Sequence, residues 1–168
     1  ALLILQGKNS EAKTWLERSQ SVNDTPEARL NLALLALEEG KTSEAEELIG
    51  QSLQSDNGEV LALLYLKQGK YEQALKAFGS TKSNNAAIAQ LLNRRYDSAM
   101  ETLNNVVRTN ATTDYLKAIV AARMQDDRSA INFLSEAIRR DPALRSRAIS
   151  DKEFASLANN ERFVQLLK

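Results

Sequence analysis

Apolar residues recur along this chain at the three- and four-residue spacing that predicts amphipathic helices. One part of the pattern repeats, an alanine followed four positions later by a large apolar residue. The pairs are Ala12/Leu16, Ala45/Ile49, Ala74/Phe78, Ala99/Leu103 and Ala130/Leu134, at intervals of 33, 29, 25 and 31 residues. Twelve positions before the last four of these alanines stand Ala33, Ala62, Ala87 and Ala118. Five segments with one register predict a repeat protein rather than an irregular helical bundle.

Each repeat is predicted to be a hairpin of two antiparallel helices. Alanine at both crossing positions lets two helix axes approach closely. First helices are predicted near 25–39, 58–68, 84–93 and 111–124, and second helices near 9–21, 42–55, 71–80, 96–108 and 127–140. Thr25 followed by Pro26 is a strong start signal, because threonine caps helices and proline suits their first position.

The residue five positions before each second-helix alanine falls in the predicted turn. In three repeats it is glycine (Gly7, Gly40 and Gly69), which suits the left-handed conformation that ends many helices. In the last two repeats it is Arg94 and Gln125. We therefore expect those two turns to close differently.

The register resembles the tetratricopeptide repeat, with the pattern W-x2-L-G-x2-Y…A-x3-F…P and a period of 34. Its second half is matched best, by Tyr71…Ala74…Phe78, Tyr96…Ala99…Leu103 and Ala130…Leu134…Pro142. Its first half is degenerate, and every interval is shorter than the family period. The resemblance implies an all-α fold, a right-handed superhelical α-solenoid of TPR-like helix-turn-helix repeats.

The chain is predicted to divide into repeats over 1–142 and C-terminal capping helices over 143–168. The repeat units are expected near 1–24, 25–56, 57–82, 83–109 and 110–142. Phe154 and Phe163 lie at helical spacing in the tail, and we expect them to cover the last repeat, since a solenoid must hide its terminal apolar face. The alternative is that these two residues bind a peptide. Because Ala1 falls in mid-pattern, we expect the N-terminus to be truncated from a longer protein.

In the proteins that the repeat resembles, first helices line a concave groove that holds a peptide or a helix. The resemblance carries this groove to positions three before, and one and four after, each first-helix alanine. The predicted partner-binding residues are Leu30, Leu34, Leu37, Leu63, Leu66, Asn84, Ile88, Leu91, Tyr115 and Ile119, with Glu59 and Ala122 at the remaining positions. Chaperone-binding members grip a C-terminal carboxylate with lysines and asparagines at such positions. Only Asn84 matches them, so we reject a carboxylate clamp.

Three occupants of this apolar groove are open on the sequence alone. A tight superhelix could bury it within the protein, a partner's amphipathic helix or hydrophobic peptide could fill it, or the missing N-terminal part or a second copy could do so. We predict a non-enzymatic protein–protein interaction scaffold with a protein or peptide partner. The alternatives are a structural or oligomerisation module, including a homodimer, whose groove its own chain fills and, more remotely, an enzyme accessory domain.

Composition narrows the chemistry further. The chain contains neither cysteine nor histidine, which excludes disulfides, zinc sites of the usual kind and imidazole-based triads. Carboxylate pairs such as Glu38/Glu39 and Asp126/Asp127 fall in predicted turns or first helical turns, where they favour the helix dipole. We predict no catalytic residue, no metal site and no cofactor. No apolar run is long enough to span a membrane.

Charge is unevenly spread, although the net charge is zero. Residues 1–66 carry 5 basic and 11 acidic side chains, whereas residues 67–168 carry 17 and 11. The densest basic stretch, Arg139, Arg140, Arg145 and Arg147, is interrupted by Asp141 and lacks the pattern of a nucleic-acid surface, so we predict no nucleic-acid partner.

Two further expectations concern location and packing. The tail resembles the end of many bacterial tetratricopeptide proteins, and cysteine is absent, so we favour a bacterial cell envelope (periplasm) over the cytoplasm. Trp15, the only tryptophan, is expected to pack between repeats.

Overall fold

A computed structural model describes residues 9–22, 25–50 and 58–168 of the chain. Its helices are α1 (Asn9–Val22), α2 (Pro26–Glu38), α3 (Thr42–Gly50), α4 (Gly58–Lys67), α5 (Tyr71–Phe78), α6 (Asn84–Leu92), α7 (Tyr96–Asn104), α8 (Ala111–Arg123), α9 (Asp127–Arg140), α10 (Leu144–Ser150) and α11 (Glu161–Leu167), with a 3₁₀ helix at Lys152–Leu157. The described residues contain no strand. The predicted all-α, solenoid-type fold of helical hairpins is confirmed.

The predicted helices are present, with two ends shorter than expected. α5 stops at Phe78 because Gly79 turns to a φ of +54°. α7 stops at Asn104 because Asn105 caps it, with its side-chain amide donating to the carbonyl oxygen of Glu101 at 2.8 Å. The predicted second helix near 42–55 is described as far as Gly50, and residues 51–57 lie outside the described residues.

Contacts between residues divide the chain into two compact units, residues 1–79 (the N-terminal unit) and residues 80–168 (the C-terminal unit). In the N-terminal unit α2 pairs with α3 and α4 pairs with α5. In the C-terminal unit α6 pairs with α7 and α8 with α9, and the 3₁₀ helix packs against α8. The boundaries predicted for the individual repeats stay a prediction.

The alanines of the register are buried in the helical hairpins. The eight register alanines whose side chains the structure describes are at most 2% exposed, namely Ala33, Ala45, Ala62, Ala74, Ala87, Ala99, Ala118 and Ala130. Side chains of this size permit the short interaxial distance that antiparallel helices need in a hairpin. The packing predicted from the register is therefore confirmed.

All four hairpin turns close in the same way, so the expectation for Arg94 and Gln125 was wrong. The turn residue has a φ of +76° at Gly40, +71° at Gly69, +58° at Arg94 and +62° at Gln125. The next amide then bonds back to the helix, as Lys41 N does to Ala36 O at 2.7 Å and Arg95 N to Gln90 O at 2.9 Å. These bonds satisfy the last helical carbonyls, and they outweigh the roughly 1–2 kcal/mol that a left-handed conformation costs a residue with a side chain.

Polar side chains fix where the first helices begin. Thr25 Oγ1 accepts a hydrogen bond from the amide of Ala28 at 3.2 Å, and Pro26 occupies the first position. The predicted start of α2 is confirmed. Asn110 caps α8 through a reciprocal pair of bonds with Thr113, each residue's side chain accepting from the other's amide, which satisfies two amides that a helix start otherwise leaves free.

Trp15 does not pack between repeats, and that expectation was wrong. Its side chain is 63% exposed. The guanidinium carbon of Arg18, three residues further along α1, lies 5.9 Å from the ring centroid. This cation–π contact is local to α1 and leaves most of the indole in solvent.

Candidate protein-binding surface

The predicted groove positions of the N-terminal unit lie on α2 and α4. The ammonium of Lys67, the last residue of α4, donates to the carbonyl oxygen of Leu37, near the end of α2, at 3.3 Å. Two C-terminal helix ends therefore meet, and both helices contribute to one core cluster, which includes Leu37 and Leu64. We use the name α2/α4 face for the surface formed by Leu34, Glu59, Leu63 and Leu66.

Helix α4 is apolar on nearly every side yet only partly covered. Val60, Ala62 and Leu64 are buried, at 9%, 0% and 0% exposure. The remaining large apolar side chains, Leu61, Leu63, Tyr65 and Leu66, are half-buried. A helix with apolar residues all round is normally enclosed by its protein. Part of the apolar surface of α4 is therefore left for contact with something else or with solvent.

The predicted positions on α2 differ in their accessibility. Leu34 is half-buried and packs against the edge of the N-terminal core cluster. Leu37 is 3% exposed and belongs to that core. Leu30 lies in α2, but its side chain is outside the described part of the structure. Within this unit Leu34, Leu63 and Leu66 are the predicted groove leucines whose described side chains reach the surface.

In the C-terminal unit, the predicted positions on α6 are half-buried. Ile88 and Leu91 pack against the large core cluster of this unit. Asn84, at the first position of α6, donates from Nδ2 to Oδ1 of Asn110 at 3.5 Å. That contact joins the starts of two first helices and uses Asn84 as a link between repeats.

The predicted position Tyr115 on α8 is enclosed by the C-terminal segment. Its hydroxyl donates to Asp151 Oδ2 at 2.8 Å, and the Phe154 ring meets the tyrosine ring edge-on, with centroids 5.5 Å apart. The guanidinium of Arg147 lies 5.1 Å from the ring centroid. Burial, followed by the hydrogen bond to Asp151, raises the pKa of the Tyr115 hydroxyl well above its ordinary value, so the residue stays neutral. Tyr115 is 3% exposed.

The same segment buries the end of the repeat array. Ile119 is 7% exposed and lies in one cluster with Phe154, Leu157 and Phe163, which are 1%, 0% and 6% exposed. Both tail phenylalanines are core residues in this structure. A peptide-binding role for them would require the segment to open.

An ion pair fastens this segment to α8. Arg123, the last residue of α8, donates from Nε and Nη2 to the two carboxylate oxygens of Glu153 at 2.5 and 2.7 Å. Bidentate geometry of this kind is stronger than a single contact. The pair raises the pKa of Arg123 above its already high value, chiefly through the hydrogen bonds to Glu153.

Two of the arginines in the densest basic stretch are neutralised by carboxylates. Arg139 and Arg140 both donate to Glu136, at 2.6 Å and 3.1 Å in the ion pairs. Their hydrogen bonds, that from Arg139 first, lower the pKa of Glu136 to about 2. Arg140 Nε also lies 3.1 Å from Oδ2 of Asp114, a buried residue near the start of α8.

The surface also carries two shallow depressions, and neither contains a predicted groove residue. One, of about 320 Å³, lies at the turn before α7 and is lined by Arg94, Arg95, Tyr96, Asp97, Ser98 and Met124. The other, of about 300 Å³, lies between α9 and α11 and is lined by Ile131, Asn132, Ser135, Arg162, Gln165 and Leu166.

Other kinds of site find no support in the part of the chain that the structure describes. No cluster of three or more acidic residues there is arranged to hold a metal ion. No described helix has both the length and the apolarity that a bilayer crossing requires.

Comparison with known proteins agrees with the repeat register. The family model for the tetratricopeptide repeat matches residues 61–86, which include Tyr71, Ala74 and Phe78, the best-preserved stretch of the pattern. A comparison with curated proteins finds no significant match. Tetratricopeptide repeats generally mediate protein–protein interactions and are generally not enzymes. The matched segment and the helical hairpins together support a divergent helical repeat protein of tetratricopeptide type.

Proposed function

We propose that the chain is a non-enzymatic scaffold that binds a peptide or helix of a partner protein on its α2/α4 face. The observation that carries this proposal is the incomplete burial of α4. Leu63 and Leu66 lie three residues apart on that helix, and both are half-buried. Apolar anchors at helical spacing are what a docked amphipathic helix engages.

The size of this surface supports a modest affinity. Fully burying a leucine side chain contributes about 1.5–3 kcal/mol, and Leu34, Leu63 and Leu66 are already half-buried. Association costs an estimated 4–15 kcal/mol in lost freedom of motion. A few partly exposed leucines therefore suit a transient adaptor better than a permanent complex.

For the C-terminal unit, a specific observation favours the alternative of a groove filled by its own chain. Tyr115 and Ile119, the groove positions of α8, are 3% and 7% exposed. Phe154 and Asp151 of the following segment contact Tyr115 directly. We therefore assign partner binding to the N-terminal unit and a closing role to the end of the C-terminal unit.

Selection from a peptide-display library tests this assignment. The 168-residue chain is expected to enrich peptides with apolar residues at helical spacing. A Leu34→Glu, Leu63→Glu double variant is expected to lose them, because a buried unpaired carboxylate opposes docking. The matched control is Ile149→Glu, which places the same charge on a residue of the C-terminal unit that is 64% exposed.

The control variant should enrich the same peptides as the unaltered chain. Circular dichroism and thermal unfolding of all three proteins separate a lost surface from a lost fold. Recovery of identical peptides by the unaltered chain and a folded double variant would rule out the α2/α4 face as the binding site.

A further inference from the structure

We propose that the helix that docks on the α2/α4 face is α4 of a second copy of this chain, lying antiparallel to the first. This inference rests on the proposed function and names the partner. It comes from the order of charged and apolar residues along the exposed side of α4, which is complementary to itself when one of the two copies is reversed.

The exposed side of α4 carries opposite charges at its two ends. Glu59 lies in the first turn of the helix, Lys67 is its last residue, and both are exposed. Leu63 lies midway between them, four residues from each, and is half-buried. Residues four apart fall on one side of a helix. An acidic, an apolar and a basic position therefore follow one another along the same side of α4.

Both charged groups can interact with a second chain. Glu59 forms no ion pair among the described residues. The ammonium of Lys67 donates to the carbonyl oxygen of Leu37 at 3.3 Å, and an ammonium has three donors, so two of them are left for another acceptor.

The other charged groups beside this side of α4 are already engaged. Lys70, in the turn that follows α4, lies 3.6 Å from Glu46. Glu38, at the end of α2, has an interaction within the chain. The charge pattern that a second copy meets on α4 is therefore set by Glu59 and Lys67.

A two-fold axis at Leu63 brings these opposite charges together. Because a helix rises 1.5 Å per residue, Glu59 and Lys67 lie about 6 Å on either side of Leu63. When the second α4 runs antiparallel, the glutamate of each copy lies opposite the lysine of the other, and the two Leu63 side chains meet at the axis. Such a contact uses the same surface on both copies. A parallel arrangement would oppose like charges, so the charges select the antiparallel one.

The leucines beside this axis give the pairing a modest strength. Leu63 and Leu66 on α4 and Leu34 on α2 are half-buried, and pairing removes more of their surface from water. Specific, stable interfaces bury about 1,200–2,000 Å² in total, which is more than the remaining surface of three such leucines. We therefore expect a weak dimer that forms as the protein concentration rises.

Charge reversal followed by sedimentation velocity tests this pairing. Glu59→Lys should weaken the dimer about tenfold, because symmetry places two like-charge pairs in each dimer. Lys67→Glu should weaken it to a similar extent. An equimolar mixture of the two variants should dimerise again, since each lysine of one chain then meets a glutamate of the other. Added salt should weaken the dimer of the unaltered chain, because it screens exposed charges.

Two variants away from the α2/α4 face are the matched controls. Glu47→Lys and Lys76→Glu make the same charge changes at exposed residues of the second helices α3 and α5, and neither residue forms an ion pair among the described residues. Neither variant should weaken the dimer more than about twofold. If their mixture associates as strongly as the mixture of Glu59→Lys and Lys67→Glu, the mixed dimer reflects general attraction between oppositely charged chains and the inference fails.

Disulfide trapping locates the axis independently of charge reversal. The chain contains no cysteine, so Leu63→Cys introduces a single thiol, and mild oxidation should link two copies through it. A disulfide needs Cα atoms about 4.4–6.8 Å apart, a distance that identical residues of two antiparallel helices reach only near the axis. Glu47→Cys is the control and should give little linked dimer, although Glu47 is exposed and Leu63 is half-buried.

Circular dichroism and thermal unfolding identify any variant that fails to fold. Lys67→Glu also removes the bond to Leu37, whereas Glu59→Lys removes no ion pair among the described residues. The test of the pairing therefore stands on Glu59→Lys and Leu63→Cys if Lys67→Glu does not fold.

The outcomes separate this inference from the function on which it rests. If the chain is monomeric at every concentration and the display selection still enriches apolar helical peptides, the proposed function stands and the second copy is not the partner. If a dimer forms that Glu59→Lys does not weaken, another surface or orientation mediates it and the inference is wrong. If Leu63→Cys is linked no better than Glu47→Cys, the axis does not lie at Leu63 and the antiparallel pairing fails. If the chain is monomeric and no peptide is enriched, the proposed function fails as well.

Discussion

The first helices α4 and α8, one in each unit, use the same helical register and differ in how far their groove positions are covered. In the N-terminal unit the groove positions Leu63 and Leu66 stay half-buried. On α8 two groove positions, Ile119 at the register position of Leu63 and Tyr115 at that of Glu59, are buried by residues that follow the repeats. The register thus determines which side of a first helix faces the groove, and the segment packed against it determines whether that side is available.

The covered and uncovered groove positions also differ in the type of side chain that they carry. The covered position carries a tyrosine, whose hydroxyl needs a partner when it is buried and finds one in Asp151 at 2.8 Å. The uncovered positions carry leucines, which need no partner and lose little by remaining at the surface. A polar tip with a specific acceptor suits permanent closure, whereas a plain leucine accepts apolar partners of many shapes.

Phe154→Ala is the substitution expected to change this difference in burial most. Phe154 is 1% exposed and contacts Tyr115, and removing a buried phenylalanine costs about 3–5 kcal/mol of unfolding free energy. The substitution should loosen the closing segment and make α8 resemble α4 in exposure. Urea unfolding measures the loss, and amide hydrogen exchange should show faster exchange in α8.

Phe78→Ala is the matched control in the N-terminal unit, because Phe78 is also buried, at 3% exposure. It should lower the unfolding free energy by a similar amount and leave the exchange of α8 unchanged. If amide hydrogen exchange in α8 were unchanged in Phe154→Ala, the C-terminal segment that contains Phe154 would not be what keeps the groove positions of α8 buried.

The alanine register was enough to predict the hairpins, because methyl-sized residues recur wherever two helices cross. Gly58 shows the limit of that reasoning. A methyl group at this glycine would lie 2.7 Å from the carbonyl oxygen of Ala77, so the start of α4 approaches the backbone of α5 closely. Only the packed structure reveals such an approach, since Gly58 stands outside the register.

For a similar reason, the sequence left open whether the groove positions are buried within the protein. Tyr115 and Asp151 are 36 residues apart, and Arg123 and Glu153 are 30 apart. No local periodicity links residues so distant, and both pairs depend on how the 3₁₀ helix returns to α8. Sequence placed Tyr115 on the correct helix and could not tell whether another segment covers it.

The hairpin turns offer a second test of the difference between the units, with an expected change in unfolding free energy of intermediate size. The two units use one turn geometry with different residues, glycine in the N-terminal unit and Arg94 and Gln125 in the C-terminal unit. Arg94→Gly should raise the unfolding free energy by about 0.5–1 kcal/mol, since relief of left-handed strain exceeds the added entropy of the unfolded chain. Gly40→Ala should lower the unfolding free energy by about 1 kcal/mol, because alanine would have to adopt the positive φ that glycine adopts easily. Urea unfolding measures both.

Arg95→Gly controls for the loss of an arginine next to the turn residue. Arg95 does not have a positive φ, so glycine there relieves no left-handed strain, adds chain entropy and removes the interactions of the side chain, and it should destabilise. An Arg94→Gly variant less stable than Arg95→Gly would mean that the arginine side chain stabilises the turn more than its backbone strain costs.

The smallest expected effect is on the stability of the fold at acid pH, to which surface ion pairs of both units contribute. Glu136 has its pKa lowered from 4.5 to about 2, mainly by hydrogen bonds from Arg139 and then Arg140. A carboxyl group whose pKa is lower in the folded state stabilises the fold above its unfolded pKa, and this contribution disappears as pH falls from about 4.5 towards 2. Glu136→Gln should therefore flatten the fall in Tm over that range, slightly because the group is exposed.

Glu39 provides the comparison in the N-terminal unit, since its pKa is also lowered, first by the hydrogen bond from Lys41. Lysine forms a point contact, whereas the two arginines hold Glu136 with several donors, so Glu39→Gln should change the acid limb of the Tm profile less than Glu136→Gln. Carbon-detected NMR titration of the two carboxyl groups checks the cause directly. A pKa of Glu136 equal to or higher than that of Glu39 would show that the two arginines do not favour the ionised carboxylate more than lysine does. The two units would then differ in the burial of their groove positions and not in these ion pairs.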